Sequence, residues 1–178
     1  MKILIVDNRS KDLAELQKLL SDHDITVCQR ESLITALPET FDVVVLSGGF
    51  GTHSVKYHRD YFQAEIDFVK NSKTKVIGIC LGCQIVATAF GCTLKELDEK
   101  AQGMSTVHML DGRDLPVYES HRFVIDYVPS EIEVLGTSEH GIEIMQHKTR
   151  PIFGLQFHPE MFVNKTEGKE IFFSFLNK

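Results

Sequence analysis

The sequence predicts an α/β fold: an open, mostly parallel central sheet with helices on both faces and an antiparallel extension. Three observations carry this. Apolar runs of strand length alternate with helical stripes as far as Gly91. Those runs are apolar at consecutive positions, as strands covered on both faces are. From Thr93 onward the helical stripes stop, and short strand-like runs follow one another across turns.

Taken in order, Lys2–Val6 is a continuous apolar strand that ends at an acid, Asp7. Ser10 can cap a helix whose Leu13, Leu16, Leu19 and Leu20 share one face. Thr26–Gln29 and Asp42–Leu46 are the second and third strands, the latter running into Ser47-Gly48-Gly49. Asp60 with Gln63 resembles a capping box ahead of the stripe Phe62, Ile66, Val69. Lys75–Ile79 is the fourth strand, and Leu81–Phe90 is a helix stopped by Gly91. Beyond it, strands are expected at Thr106–Leu110, Phe123–Val128, Glu133–Gly136, Ile142–Gln146 and Ile152–Gln156. A closing helix over Thr166–Asn177 turns Ile171, Phe172, Phe175 and Leu176 inward. With no linker, repeat or low-complexity stretch in view, residues 1–178 read as one domain.

Composition narrows the function. The chain has 178 residues, of which 43% are hydrophobic, enough for a substantial core. Its net charge of −6 argues against a broad nucleic-acid-binding surface. No apolar run approaches the ~20 residues that span a bilayer, so no membrane association is expected. The N-terminal run lacks a cleavage site and reads as a strand rather than a leader. Cys28, Cys80, Cys83 and Cys92 need no disulfide in a domain of this size. A cytoplasmic protein with reduced thiols is the expectation.

Open α/β sheets place their sites at the carboxyl ends of the strands. Ser47-Gly48-Gly49, Cys80, and His158 with Glu160 all fall at such ends, so remote segments are expected to converge on one sheet edge. In Gly78-Ile79-Cys80-Leu81-Gly82 a cysteine takes the place of the serine in a nucleophile elbow. The glycines relieve crowding where strand turns sharply into helix. The helix N-terminus favours a negatively charged sulfur, and its free N–H groups can hold an oxyanion. Alone, such a cysteine is as readily a buried thiol. Phe157-His158-Pro159-Glu160 tips the balance: His158 supplies a base and acid, and Glu160 a carboxylate to orient it. Gly48-Gly49 reads as a turn or as a backbone N–H aimed at a developing oxyanion.

These motifs together resemble the class I (triad) glutamine amidotransferases, over essentially the whole chain. The matching residues are Gly78-Ile-Cys80-Leu-Gly82-Cys-Gln84, Ser47-Gly48-Gly49 and Gly154-Leu-Gln-Phe-His158-Pro-Glu160. The resemblance implies a flavodoxin-like sheet and attack by Cys80 on the side-chain amide of L-glutamine. It implies an oxyanion hole from the N–H groups of Gly49 and Leu81. His158 then protonates departing ammonia and activates the water that hydrolyses the γ-glutamyl thioester, with Glu160 orienting it. Gln84, Ser120 and His121 match positions that hold the substrate. No metal and no organic cofactor are implied.

Two positions depart from the family pattern. Phe50 stands where proline usually follows Ser-Gly-Gly, and Cys83 sits where histidine or methionine is common. The Gly141–Glu160 stretch resembles the glutaminase subunit of two-subunit GMP synthases, as does Tyr118-Glu-Ser-His121. Phe123-Val-Ile-Asp126 and Leu4-Ile-Val-Asp7-Asn8 instead resemble the anthranilate and aminodeoxychorismate synthase partners. No synthase domain follows Lys178, so a synthetase subunit in trans is expected to use the ammonia. A γ-glutamyl hydrolase would use the same elbow on other substrates. A redox protein built on Cys80-Leu-Gly-Cys83 leaves His158, Glu160 and Gln84 unexplained. A phospho-receiver would need an acid where Ser47-Gly48-Gly49 stands.

Overall fold

A computed structural model describes residues 1–50 and 53–178. Five strands form the parallel part of a single sheet: β1 (Lys2–Asn8), β2 (Asp24–Gln29), β3 (Val43–Gly49), β4 (Lys75–Ile79) and β9 (Ile152–Leu155). They lie in the order β2-β1-β3-β4-β9, with every neighbouring pair parallel. The helices are α1 (Leu13–Leu19), α2 (Gln63–Asn71), α3 (Leu81–Ala89) and α4 (Gly168–Leu176). Consecutive residues of β1 and β3 divide between two hydrophobic cores. Leu4, Val44 and Leu46 face α2 and α3, whereas Ile3, Val43 and Val45 face α1 and α4. That two-sided burial is why these strands read as unbroken apolar runs.

The antiparallel part comprises β5 (Thr93–Met109), β6 (Asp114–Tyr127), β7 (Ile132–Thr137) and β8 (Ile142–His147). It continues the sheet as β9-β8-β6-β5-β7. Here the structure departs from the open arrangement expected: β7 also pairs with β8, so β8, β6, β5 and β7 close on themselves. "Mostly parallel" thus describes the layer beside the helices, not the whole sheet. The long hairpin of β5 and β6 also exceeds the expected strands, which took in only the ends of these elements. Its register runs from Thr93 opposite Tyr127 to His108 opposite Asp114, with an irregularity between Glu96 and Ala101.

Two expected caps do not form. Ser10 Oγ accepts from the Asp12 N–H (3.2 Å), so it closes the turn before α1 instead of occupying the N-cap, which is Asp12. Asp60 lies within a 3-10 turn, Arg59–Phe62, and Gln63 donates forward to Asp67 (2.8 Å). The end of α3 is as expected: Gly91 takes φ +76°, a left-handed conformation that stops the helix.

Candidate active site

The site grows from the way β4 turns into α3. Cys80 is the N-cap residue and holds φ 50° and ψ −104°, a strained conformation for a residue with a side chain. The strain persists because both sides of the turn are fixed. Cys80 N–H donates to Leu155 on β9 (2.8 Å), and Gln84 N–H donates back to the Cys80 carbonyl (3.0 Å). The flanking glycines are required by packing. A Cβ on Gly82 would meet the Leu46 carbonyl of β3, and one on Gly78 would meet the Gly82 carbonyl. The sulfur therefore projects from a rigid elbow at the carboxyl edge of the sheet. Cys80 stays 7% exposed, against a cleft of about 860 Å³.

His158 reaches Cys80 from the segment after β9. Its own N–H donates to the Tyr118 carbonyl (2.9 Å), which ties this segment to β6. Its ring lies over Gly48: a Cβ there would be 3.1 Å from His158 Cε1 and 3.7 Å from Cys80 Cβ. Gly48 thus opens the space in which imidazole and cysteine meet, a role the sequence did not disclose. His158 Nδ1–H donates to Glu160 Oε1 at 2.8 Å, with both side chains buried. That leaves Nε2 for the sulfur. Burial pushes the His158 imidazole down, but the charge and hydrogen bond of Cys80 and those of Glu160 outweigh it. The net direction is well above the ordinary histidine value. Such a pair can shuttle a proton between sulfur and a bound leaving group.

Gly49 and Leu81 face each other across the elbow; a Cβ on Gly49 would run into the Leu81 side chain. Leu81 is the first residue of α3, where amide N–H groups lack intrahelical acceptors. Gln84 also borders the cleft, but its Nε2 donates to the Phe123 carbonyl (3.0 Å) and to Gln156 Oε1 (3.3 Å). It ties α3 to β6 and keeps only its amide oxygen for a ligand. The Ser120 carbonyl lies 3.9 Å from the Cys80 sulfur. The neighbouring His121 side chain is only 1% exposed and sits between Glu119 and Glu143. Burial, then the charges of His140, His158 and Lys100, pushes the His121 imidazole down to about 3.

Cys83 is fully buried, with its sulfur against Gly154 on β9. Burial foremost pushes its thiol well above the usual range. A thiol so placed is suited to packing rather than exchange. Phe50, by contrast, is 71% exposed at the cleft rim. Among the described residues no helix is long and apolar enough to cross a membrane.

The glutamine amidotransferase class-I family model matches residues 5–178. The chain is 34% identical over 142 residues to a glutamine-hydrolyzing GMP synthase subunit of Methanocaldococcus jannaschii, covering 74% of this chain and 71% of that one. It is 26% identical over 194 residues to anthranilate synthase component 2 of Saccharolobus solfataricus, covering 98% and 97%. A crystal structure from Thermoplasma acidophilum, described as a candidate GMP synthase subunit, superposes with a TM-score of 0.86 at 24% identity. That match covers 99% of this chain and 92% of the other, and shows the shared fold.

Proposed function

The chain belongs to the class I glutamine amidotransferases and is a glutaminase of that class; from this we propose that Cys80, His158 and Glu160 carry the reaction and that a separate synthetase uses the ammonia. Cys80 Sγ attacks the carboxamide carbon of L-glutamine. The N–H groups of Gly49 and Leu81 hold the oxyanion that forms. His158 gives its proton to the amide nitrogen, ammonia leaves, and the γ-glutamyl thioester remains. The same imidazole then takes a proton from water, and hydroxide attack releases glutamate and restores the thiol. Glu160 keeps Nδ1 protonated and the ring aimed. Gln84, Ser120 and His121 border the bound substrate.

The observation that carries this reading is a cysteine held in a strained left-handed turn beside a buried imidazole paired at 2.8 Å with a carboxylate. A spectator thiol needs neither. The reading takes residues 1–178 as one amidotransferase domain, supported by the single sheet that runs from β1 to β9. Free thiols suit a cytoplasmic setting.

The partner we favour is the synthetase component of a GMP synthase, because glutamine-hydrolyzing GMP synthase subunits from several archaea are similar to this chain at 33–35% identity. An anthranilate or aminodeoxychorismate synthase partner is the second reading, supported by the near full-length similarity to anthranilate synthase component 2. Glutamate release is to be measured alone and with each synthetase component. Stimulation by the GMP synthase component supports the first reading. Stimulation only by a chorismate-using component selects the second. Turnover of γ-glutamyl peptides with none of glutamine would reject both in favour of a γ-glutamyl hydrolase.

A further inference from the structure

We propose that Glu119, His121 and Glu143 form a binding site for one divalent transition-metal ion, zinc by ligand type, between β6 and β8. It adjoins the cleft that holds Cys80, which His121 also lines, but uses none of Cys80, His158 and Glu160 as ligands. Strands β6 and β8 pair through a single residue couple, Ile125 with Ile142, before they diverge. Glu119 and His121 of β6 and Glu143 of β8 meet across that divergence, with side chains no more than 1% exposed. An apolar filling would be the ordinary solution there. Instead two acids and an imidazole are buried, at a cost that needs compensation.

Their mutual hydrogen bonds do not supply it. His121 Nε2 lies 3.7 Å from Glu119 Oε2 and 3.8 Å from Glu143 Oε1, too far for hydrogen bonds. Both nitrogens of His121 and both carboxylate oxygens of Glu119 lack a hydrogen-bond partner among the described residues. Glu143 Oε1 accepts from Ser138 Oγ (3.0 Å), whereas its Oε2 is unpartnered. The separations suit an ion instead. Zinc–ligand distances of about 2.0–2.2 Å in tetrahedral geometry put ligand atoms roughly 3.3–3.6 Å apart. One atom from each of the three residues already lies within 4.8 Å of the others. Small side-chain movements would close the set.

Two carboxylates neutralise a dication, and a neutral imidazole is the form that binds one. His140 completes the surroundings. Its Nδ1 is 2.8 Å from Glu119 Oε2 but off the hydrogen-bonding direction, and its ring is 29% exposed. It stands with Glu119 in the wall of a second cavity of about 510 Å³, which offers an entry path. The ligands flank Ser120, whose carbonyl faces the Cys80 sulfur. A bound ion would clamp β6 to β8 and hold that carbonyl in place.

The test uses the full chain carrying Cys80→Ala, so that the elbow thiol cannot bind metal, and probes it with cobalt(II) and zinc chloride. About one cobalt per chain with visible bands of low-symmetry coordination, displaced by zinc, is expected. Glu143→Gln, which keeps the shape, should weaken binding at least about tenfold, the scale on which metal sites respond to losing a supporting group. Glu119→Gln serves as the second variant should the first fail to fold. Zinc at 100 times its Kd should also raise the Tm of the Cys80→Ala chain by about 5 °C or more, and magnesium should not. Equal cobalt affinity in a folded Glu143→Gln or Glu119→Gln chain would overturn the proposal. So would the absence of both cobalt bands and a zinc-dependent Tm rise in the Cys80→Ala chain. The cluster of Asp12, His158 and Glu160 could also collect metal, and binding there would survive both substitutions.

Discussion

Replacing Cys80 with glycine and, separately, with alanine isolates what the elbow demands of the backbone. At φ 50° and ψ −104° a residue with a Cβ is strained, by on the order of 1–3 kcal/mol. Both substitutions remove the sulfur, so its chemistry and packing cancel in the comparison. Glycine relieves the strain but enlarges the unfolded ensemble, which offsets about 0.4–1 kcal/mol. The balance leaves Cys80→Gly more stable than Cys80→Ala by about 0.5–2 kcal/mol. In a domain of this size each kcal/mol moves Tm by about 2–4 °C, so the gap should be about 1–8 °C. Ala87, inside α3, gives the control: Ala87→Gly should be destabilising by about 1 kcal/mol or more. Calorimetric melts of the four proteins measure both differences. Cys80→Ala melting at or above Cys80→Gly would refute the claim that the turn stores strain.

Three further outcomes follow from the same geometry. Gly82→Ala drives a methyl into the Leu46 carbonyl and should cost about 1–3 kcal/mol in urea unfolding, with activity lost because the elbow is displaced. Glu160→Gln keeps the fold but cannot hold His158 Nδ1–H in the same charge-assisted bond; kcat should fall about 10²–10⁴-fold, and loss of less than about threefold would show that Glu160 does not orient the base. Glu65 is 1% exposed, and burial raises its carboxyl to about 7 against the softening effects of Asn8 and Arg30. Because the folded value is the higher one, its contribution is fully present below the unfolded value and is lost as pH rises towards and through 7. Glu65→Gln should therefore gain stability over wild type between pH 5 and pH 8, by up to about 3 kcal/mol. Parallel melts at the two pH values read it, and an unchanged difference would contradict it.

The parallel half was legible because burial on both faces writes itself into the sequence: Leu4, Ile5, Val44 and Val45 are all fully buried, and their run has no solvent side. The hairpin was not. Residues Lys95–Lys100 are a mostly charged stretch with no apolar periodicity, and the strand is set by long-range pairing with β6 on either side of it, up to Glu96 and again from Ala101. The β7–β8 closure was hidden for a related reason, since strand pairing partners leave no local mark. In the proposed site, Cys80, His158 and Glu160 stood out because the proposed chemistry calls for specific residue types near strand ends. Gly48 was ambiguous: a glycine that makes room for a remote imidazole looks like any turn glycine until His158 is folded over it. Glu119, His121 and Glu143 carried no metal-ligand spacing, because Glu143 reaches the other two only through strand placement.

The thioester on Cys80 tests the central claim most directly. Wild-type chain and the proposed synthetase component are to be mixed with L-glutamine, quenched in acid within the first turnover, and digested for peptide mass spectrometry. A γ-glutamyl group is expected on the peptide containing Cys80, absent from Cys80→Ala, whose glutamate release should fall to background. Glutamate formation at the wild-type rate by Cys80→Ala, with no adduct on the wild-type Cys80 peptide, would contradict the account.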